Sequence, residues 1–206
     1  MTDIVPLTAK AKWERDLNHT FDPDDWESLF QRASSFSYNS RHRLLQFNIL
    51  HRIYFTPERL HKMNDTLSDA CPRCTTETGT LIHMLWNCSK LAPYWECVCE
   101  ALDEIMGFEV PRSPRIALLG DTTEIPMDKR ARVRFIKLAM IAGTKCILML
   151  WKSSDPPSFS MWLKEVSSYM VSEKIMFNLK KKPQLFVKCW SGFKEYLELR
   201  HTVNQN

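Results

Sequence analysis

Four potential metal ligands lie in one short stretch of the chain, and their spacing constrains the fold more than any other feature. Two cysteines separated by two residues, Cys71 and Cys74, are followed by His83 and then by Cys88. A C-x-x-C pair turns tightly so that both thiolates face one point, and Zn²⁺ prefers four nitrogen or sulfur ligands in a tetrahedron. The spacing predicts one structural zinc ion held by these four residues. The alternative interpretation is that the cysteines are small buried apolar residues without a metal.

The composition excludes several classes of protein. Seven cysteines, an odd number, do not suggest a disulfide framework. Together with an N-terminus that lacks a secretory signal, they favour an intracellular protein of the nucleus or cytoplasm. The five glycines are far apart, so no glycine-rich phosphate loop is expected. The longest apolar stretch, Leu138–Trp151, contains Lys145 and is too short to span a bilayer. Neither a membrane nor a small-molecule substrate is an expected partner.

No group of residues has the spacing of a catalytic site. Asp24 and Asp25 are the adjacent acidic pair that would suggest a catalytic metal, but they follow Pro23 at a predicted helix start, where carboxylates face free backbone amides. A zinc ion with four protein ligands also leaves no position for a substrate. We therefore assign no catalytic residue and do not expect an enzyme.

Apolar residues recur at helical intervals through nearly the whole chain. Proline or capping residues precede most of these stretches, and Gly107 marks one predicted helix end. We expect an all-α fold, in which an irregular helical domain contains the small zinc module. Helix starts are predicted near Pro23, Asn39, Thr56, Asp128, Ser158 and Pro183.

The chain is expected to have four parts. The first is an N-terminal helical segment that includes a basic helix, and the second is the zinc module with the helix that follows it. A proline-containing connector then leads to a C-terminal helical segment. The boundaries of the four parts are 1–64, 65–107, 108–127 and 128–206.

The basic helix that begins after Asn39 is expected to have two distinct faces. Arg41, Arg43 and Arg52 would be available on its outer face. Its core-facing residues are predicted to be Leu44, Leu45, Ile49 and Ile53.

Positive charge is concentrated in two blocks on either side of an acidic middle segment. Residues 41–62 carry five basic residues and one acidic residue, whereas residues 128–152 carry seven and one. Residues 63–127 carry four basic and ten acidic residues. A bound polyanion should contact the blocks rather than the middle, although two solvated helix surfaces are the alternative interpretation. The candidate nucleic-acid contacts are Arg41, Arg43, Arg52, Arg59, Lys62, Lys129, Arg130, Arg132, Arg134 and Lys137.

Two roles are open for Trp86, which lies between the ligands His83 and Cys88. An aromatic side chain at this place in a nucleic-acid-binding knuckle could stack on a base. The other interpretation is a core tryptophan that closes over the metal site, with Leu81, Leu85 and Trp95 as neighbours.

Several landmarks occur in an order that resembles one known family. These landmarks are Lys12-Trp13-Glu14-Arg15-Asp16-Leu17, the run from His51 to Met63, Glu77 to His83, Leu85 to Cys88, Tyr94-Trp95, Trp151-Lys152, Pro156-Pro157, Trp162-Leu163 and Trp190. In this order they resemble the C-terminal region of the reverse-transcriptase polyprotein of LINE-type (non-LTR) retrotransposons, which lies downstream of the polymerase. The resemblance covers nearly the whole chain and is most specific at the ligand quartet.

The resemblance implies a helical, zinc-containing appendage that helps to engage template RNA or target DNA during target-primed reverse transcription. The polymerase and endonuclease residues of that family lie upstream, so the resemblance supplies no catalytic residue and carries over only Cys71, Cys74, His83 and Cys88 as metal ligands. The partner expected first is RNA or single-stranded nucleic acid. Target DNA and the upstream reverse-transcriptase domain are further candidates. The alternative function is a zinc-stabilised helical protein-interaction module, which includes a domesticated retroelement fragment.

Overall fold

The computed structural model describes residues 7–126 and 132–203, and these residues form an all-α fold, as predicted. Two single π-helical turns, at His83–Asn87 and Arg115–Leu119, interrupt the loops between the α-helices. Within the described ranges, no helix is long and apolar enough to cross a membrane. The α-helices are α1 (Leu7–Leu17), α2 (Pro23–Ser35), α3 (Ser40–Leu50), α4 (Pro57–Met63), α5 (Ala92–Met106), α6 (Val133–Met149), α7 (Phe159–Leu179) and α8 (Pro183–Val203).

Helix α6 is the central element of the core. It contacts α3, α5, α7, α8 and both π-helical turns, and it is buried over most of its length, as expected for a helix that is apolar on nearly all sides. Large aromatic side chains pack around it and donate their polar hydrogens to its backbone. Trp162 donates from Nε1 to the Ala139 carbonyl (2.9 Å), and the Tyr94 hydroxyl donates to the Gly143 carbonyl (3.0 Å).

The predicted helix boundaries are confirmed where capping chemistry was specific. The side chains of Asn39, Thr56 and Ser158 each accept a hydrogen bond from the first turn of the helix that follows. Gly107 ends α5 with a φ of 69°, which is the left-handed conformation that glycine adopts most readily. The helix start predicted at Asp128 lies outside the described residues.

The prediction for the core face of α3 is partly wrong. Ile49 is buried, but Leu44 is 58% exposed, and His42 and Gln46 face the core instead. Both polar side chains have partners there. The His42 ring lies 3.6 Å from that of Tyr169, and Gln46 donates to the Leu118 carbonyl. Burial, followed by the charge of Lys145, lowers the pKa of His42 to about 4, so His42 is neutral at pH 7 and suited to the interior.

The prediction that Ile53 faces the core is also wrong, and the reason is the position of the helix end. The helix ends at Leu50, and the chain then turns with Arg52 at a φ of 55°. The helical interval therefore does not extend to Ile53, which is 47% exposed.

The connector at 108–127 contributes to the core. Its π-helical turn buries four apolar side chains from Ile116 to Leu119, which pack against α3 and α6. Gly120 ends the turn with a φ of 64°. Arg115 and the buried Asp121 then form an ion pair (2.5 Å) across it.

Candidate metal centre and an adjacent basic cavity

The four predicted metal ligands converge at one buried point. Their ligand atoms all lie within 4.8 Å of one another. The sulfurs of Cys71 and Cys88 are 3.8 Å apart, and Cys74 Sγ lies 3.4 Å from His83 Nε2. A tetrahedral ion with metal–sulfur bonds of about 2.3 Å and a metal–nitrogen bond of about 2.0 Å gives sulfur–sulfur and sulfur–nitrogen separations of about 3.8 and 3.5 Å. These four residues could therefore hold one metal ion.

A short hairpin, residues 69–79, positions the first two ligands; we refer to it as the metal hairpin. Cys71 donates its backbone N–H to the Glu77 carbonyl (2.8 Å), and Gly79 donates to the Asp69 carbonyl (2.7 Å). Between the cysteines the chain turns tightly, with Thr75 N–H bonded to the Cys71 carbonyl and Thr75 itself at a φ of 59°. The C-x-x-C pair thus folds as its spacing predicts.

The other two ligands come from the first π-helical turn. Cys88 donates its backbone N–H to the His83 carbonyl (3.1 Å), an i to i+5 hydrogen bond. That bond brings residues five apart in sequence onto neighbouring positions of one turn, so both side chains can reach the metal hairpin. Single π-helical turns are frequent at functional sites for this reason.

The thiols of the cluster differ in their preference for the charged form. Burial alone would raise the pKa of Cys74, but hydrogen bonds from Thr76, Glu77 and His83 lower it to about 6. Burial and the neighbouring Cys71 and Cys74 raise the pKa of Cys88 to about 11. Because the thiolate is the form of cysteine that binds a metal, binding of an ion at this cluster would release protons.

A buried arginine within the metal hairpin offsets the charge of the site. Three thiolates and a divalent ion have a net charge of −1, and Arg73, which is 5% exposed, lies between two of the ligands in sequence. Arg73 donates from Nη1 to the Met84 carbonyl (2.8 Å) and from Nη2 to the Leu150 carbonyl at the end of α6 (3.5 Å). Burial lowers its pKa, whereas Cys71 and Cys88 raise it. Arg73 therefore connects the ligand cluster to the helical core.

The carboxylate of Glu77 lies next to the ring nitrogen of His83 that faces away from Cys74. Glu77 Oε2 lies 3.4 Å from His83 Nδ1, on the opposite side of the ring from Cys74. Metal-binding histidines commonly donate their second N–H to such a group, which fixes the ring and makes the ligating nitrogen more basic.

We expect Glu77→Ala to weaken metal affinity about tenfold, because the His83 ring loses this partner. The measurement is a competition titration of the purified chain against a chromogenic chelator. Glu195→Ala, which removes an exposed carboxylate from α8, is the matched control. Equal affinities in the two variants would show that Glu77 has no role in metal binding.

Next to the metal hairpin lies a concave surface, the basic cavity, with a volume of about 370 Å³. Five cationic side chains line it, together with a single carboxylate, Glu58. The cations come from α1, from the turn after α3 and from α4. They are Lys12, Arg15, Arg52, Arg59 and Lys62.

Arg52 is the most firmly held of these cations. It donates to Asp16 Oδ2 (2.5 Å), and its guanidinium lies over the Trp13 ring at 4.4 Å. Its Nη1 atom is buried and has no hydrogen-bond partner within the described ranges. An unsatisfied buried donor is costly in free energy unless a further group binds it.

The metal hairpin supports one wall of the basic cavity. Helix α4 has no buried residue of its own, and its start rests on Gly79. A Cβ atom at position 79 would lie 2.6 Å from Pro57 Cγ, so only glycine allows this approach. Glu58 also donates its N–H to the Gly79 carbonyl (3.4 Å), and Leu81 lines the cavity. The positions of Arg59 and Lys62 therefore depend on the fold of the hairpin.

Of the ten predicted nucleic-acid contacts, the structure brings together three, Arg52, Arg59 and Lys62. Arg41 is exposed elsewhere on α3, while Arg43 donates to the Ser37 carbonyl (2.9 Å). Lys129 and Arg130 lie outside the described residues.

The remaining three predicted contacts are separate from the basic cavity. Arg132 donates to the Met106 carbonyl (2.5 Å), and Arg134 pairs with the buried Glu173 (2.6 Å). Lys137 lines a different cavity with Arg32.

Lys12 and Arg15 were not predicted, because they lie in a segment whose net charge is negative. The available signal was their separation of three residues, which places both near one face of a helix. Asp24 and Asp25 lie in the first turn of α2, as expected for carboxylates at a helix start.

Trp86 is half-buried and packs on Trp95, with 4.8 Å between ring centroids. Trp95 in turn donates to the Leu85 carbonyl (3.0 Å). Trp86 therefore has the core neighbours expected of a tryptophan that covers the metal site.

The ligand cluster and the basic cavity differ in what they can do chemically. Four side-chain ligands would fill the coordination shell of a tetrahedral ion, which suits a structural rather than a catalytic role. The basic cavity offers an anionic ligand five cations, of which Arg52 is paired with Asp16 and Lys62 with Glu58. No protein-family model matches the chain.

Proposed function

We propose that this chain is a zinc-organised module that binds RNA or other single-stranded nucleic acid through the basic cavity. The observation that carries the proposal is the convergence of five cationic side chains from three elements, with one carboxylate among them. Such a cavity attracts phosphate groups over a distance and releases counterions when they bind.

Zinc is the metal that best fits the four ligands. Thiolate and imidazole donors in tetrahedral geometry are typical of Zn²⁺, whereas Mg²⁺ and Ca²⁺ prefer oxygen ligands. The bound ion would supply folding free energy to the metal hairpin and no bond-making chemistry. Its part in the proposed function is to keep α4 in place beside α1.

The preference for a single strand follows from an exposed aromatic ring beside the cavity. Phe55 is 50% exposed, and the Arg59 guanidinium lies 4.6 Å from its ring centroid. Unpaired bases can stack on such a ring while neighbouring cations contact the backbone, whereas the bases of a duplex present no free face.

The order of landmarks in the sequence supports a more specific proposal. We infer that the module is the C-terminal region of a LINE-type reverse-transcriptase polyprotein, in which it would hold template RNA, or target DNA, for the upstream polymerase. In this proposal the chain does not catalyse a reaction itself.

Neutralising three exposed cations of the basic cavity should weaken nucleic-acid binding and flatten its salt dependence. The variant is Lys12→Gln/Arg59→Gln/Lys62→Gln. Loss of three phosphate contacts should lower the slope of log affinity against log salt by about 2 for a single strand. Fluorescence anisotropy with a labelled single-stranded RNA, at four salt concentrations, measures both quantities.

The control is Lys164→Gln/Lys174→Gln/Lys188→Gln, which removes the same charge from exposed positions on α7 and α8. Its affinity and slope should stay close to those of the unmodified chain. If the two triple variants bind equally, the basic cavity is not the nucleic-acid site.

A second candidate function, a protein-interaction module, is favoured by an apolar groove on the other side of Tyr54. The groove has a volume of about 880 Å³, and its walls include Phe55, Trp151 and the 44% exposed Leu67. Exposed apolar surface of this extent is typical of contact sites for other chains. A protein partner would keep its affinity for the triple variant of the basic cavity and lose it when Leu67 is changed to Glu.

A further inference from the structure

A second and smaller cavity lies between α2, the loop at residues 122–123 and the start of α6. It has a volume of about 220 Å³ and is lined by Arg32, Thr122, Thr123, Val133 and Lys137. Two of these five residues are cations, and they come from helices that are distant in sequence. None of the residues belongs to the metal centre or the basic cavity.

The two cations line one cavity with a single carboxylate, Asp121, close enough to act on Lys137 among the described residues. Across residues 7–126 and 132–203, neither Arg32 nor Lys137 forms an ion pair. Burial, followed by the charge of Arg32, lowers the pKa of Lys137 to about 8, and Asp121 opposes this shift. Asp121 itself pairs with Arg115 (2.5 Å).

Two like charges held together in a half-buried cavity raise the free energy of the folded state unless an anion lies between them. We infer that Arg32 and Lys137 form a binding site for a phosphate group. The Arg32 guanidinium and the Lys137 ammonium would supply the positive charge, and Thr122 lines the same cavity.

The cavity is small, with a volume of about 220 Å³. This is below the range of about 300–1,000 Å³ in which whole small-molecule ligands bind. The phosphate is therefore either inorganic phosphate or one phosphate of a larger molecule whose remainder stays outside.

NMR of the full, zinc-loaded chain tests this assignment with inorganic phosphate as the probe. The Arg32 Nε–Hε signal should shift in a saturable way as phosphate is added at constant ionic strength. Arg32→Gln and Lys137→Gln should each weaken the phosphate affinity at least tenfold, as read from thermal denaturation in increasing phosphate. Lys188→Gln, at an exposed position on α8, should bind phosphate like the unmodified chain.

Two results would overturn the assignment. One is an Arg32 signal that does not respond to phosphate in a folded chain, which would mean that the cations are satisfied without a ligand. The other is an equal response to phosphate and to chloride, which would mean a nonspecific ionic effect only. A 5′-phosphorylated oligonucleotide, compared with the same oligonucleotide without the phosphate, distinguishes a terminal phosphate from the free ion. Binding at the basic cavity can fail or succeed independently of all these outcomes.

Discussion

Removal of the metal should unfold the metal hairpin and release α4, while α6 and α7 remain folded. The hairpin has little apolar surface of its own, and α4 has no buried residue and rests on Gly79 and its neighbours. Structural zinc sites of this kind supply roughly 10 kcal/mol or more of metal-coupled folding free energy. Helices α6 and α7, in contrast, bury large apolar side chains against each other and against α8.

Hydrogen exchange with mass spectrometry measures this difference directly. After chelation, amides in residues 57–80 should exchange at rates close to those of an unfolded chain, whereas amides in α6 should stay protected. Cys88→Ser should reproduce the effect of chelation, and Cys97→Ser, which changes an exposed cysteine outside the cluster, should not. Unchanged protection of residues 57–80 after complete removal of metal would contradict the coupling between the ion and α4.

Loss of Arg134 from the Arg134–Glu173 ion pair should strongly destabilise the chain. Glu173 is 2% exposed and accepts two hydrogen bonds from Arg134, at 2.6 and 3.0 Å. The Arg134 guanidinium also lies over the rings of Tyr38 and Phe177, at 4.8 and 5.4 Å. Removing Arg134 leaves the buried Glu173 carboxylate without a partner, at a cost of about 3–5 kcal/mol. Removing Glu173 costs less, because the Arg134 side chain is 27% exposed and keeps contact with solvent.

Arg134→Met should therefore lower the melting temperature by roughly 10 °C for a chain of this size. Glu173→Leu should have a smaller effect of the same sign, and the double variant Arg134→Met/Glu173→Leu should recover most of the loss, because an apolar pair of similar volume needs no charge compensation. Glu198→Ala on the surface of α8 should change stability by less than about 0.5 kcal/mol. If the double variant is destabilised by the sum of the two single effects, the two residues are not coupled.

This pair also explains why charge counting along the sequence overestimates the second basic block. Arg134 counts as a positive charge in the sequence, yet the structure uses it to neutralise a carboxylate from α7. The partner, Glu173, is thirty-nine positions away, and no local pattern indicates it. A variant in which Arg134 is neutralised would therefore test stability more than nucleic-acid binding.

Features set by neighbouring residues, such as metal ligands and helix caps, could be predicted from the sequence. Contacts between segments that are distant in sequence could not. The ligand set follows from spacing within one hairpin and one turn, and the caps at Asn39 and Ser158 follow from side chains next to their own helix starts. The burial of His42 depends on Tyr169, and the support for α4 depends on Gly79. Each of these contacts joins segments whose approach is set by the whole fold.

The fold of the metal hairpin and the proposed function both depend on coordination of one zinc ion by the four ligands. X-ray absorption at the zinc K-edge measures this coordination directly. We expect one zinc per chain in protein purified without added metal, with three sulfur neighbours at about 2.3 Å and one nitrogen neighbour at about 2.0 Å. Changing His83 to Ala should remove the nitrogen contribution. A fully folded chain that contains no metal, or a spectrum dominated by oxygen neighbours, would contradict the account.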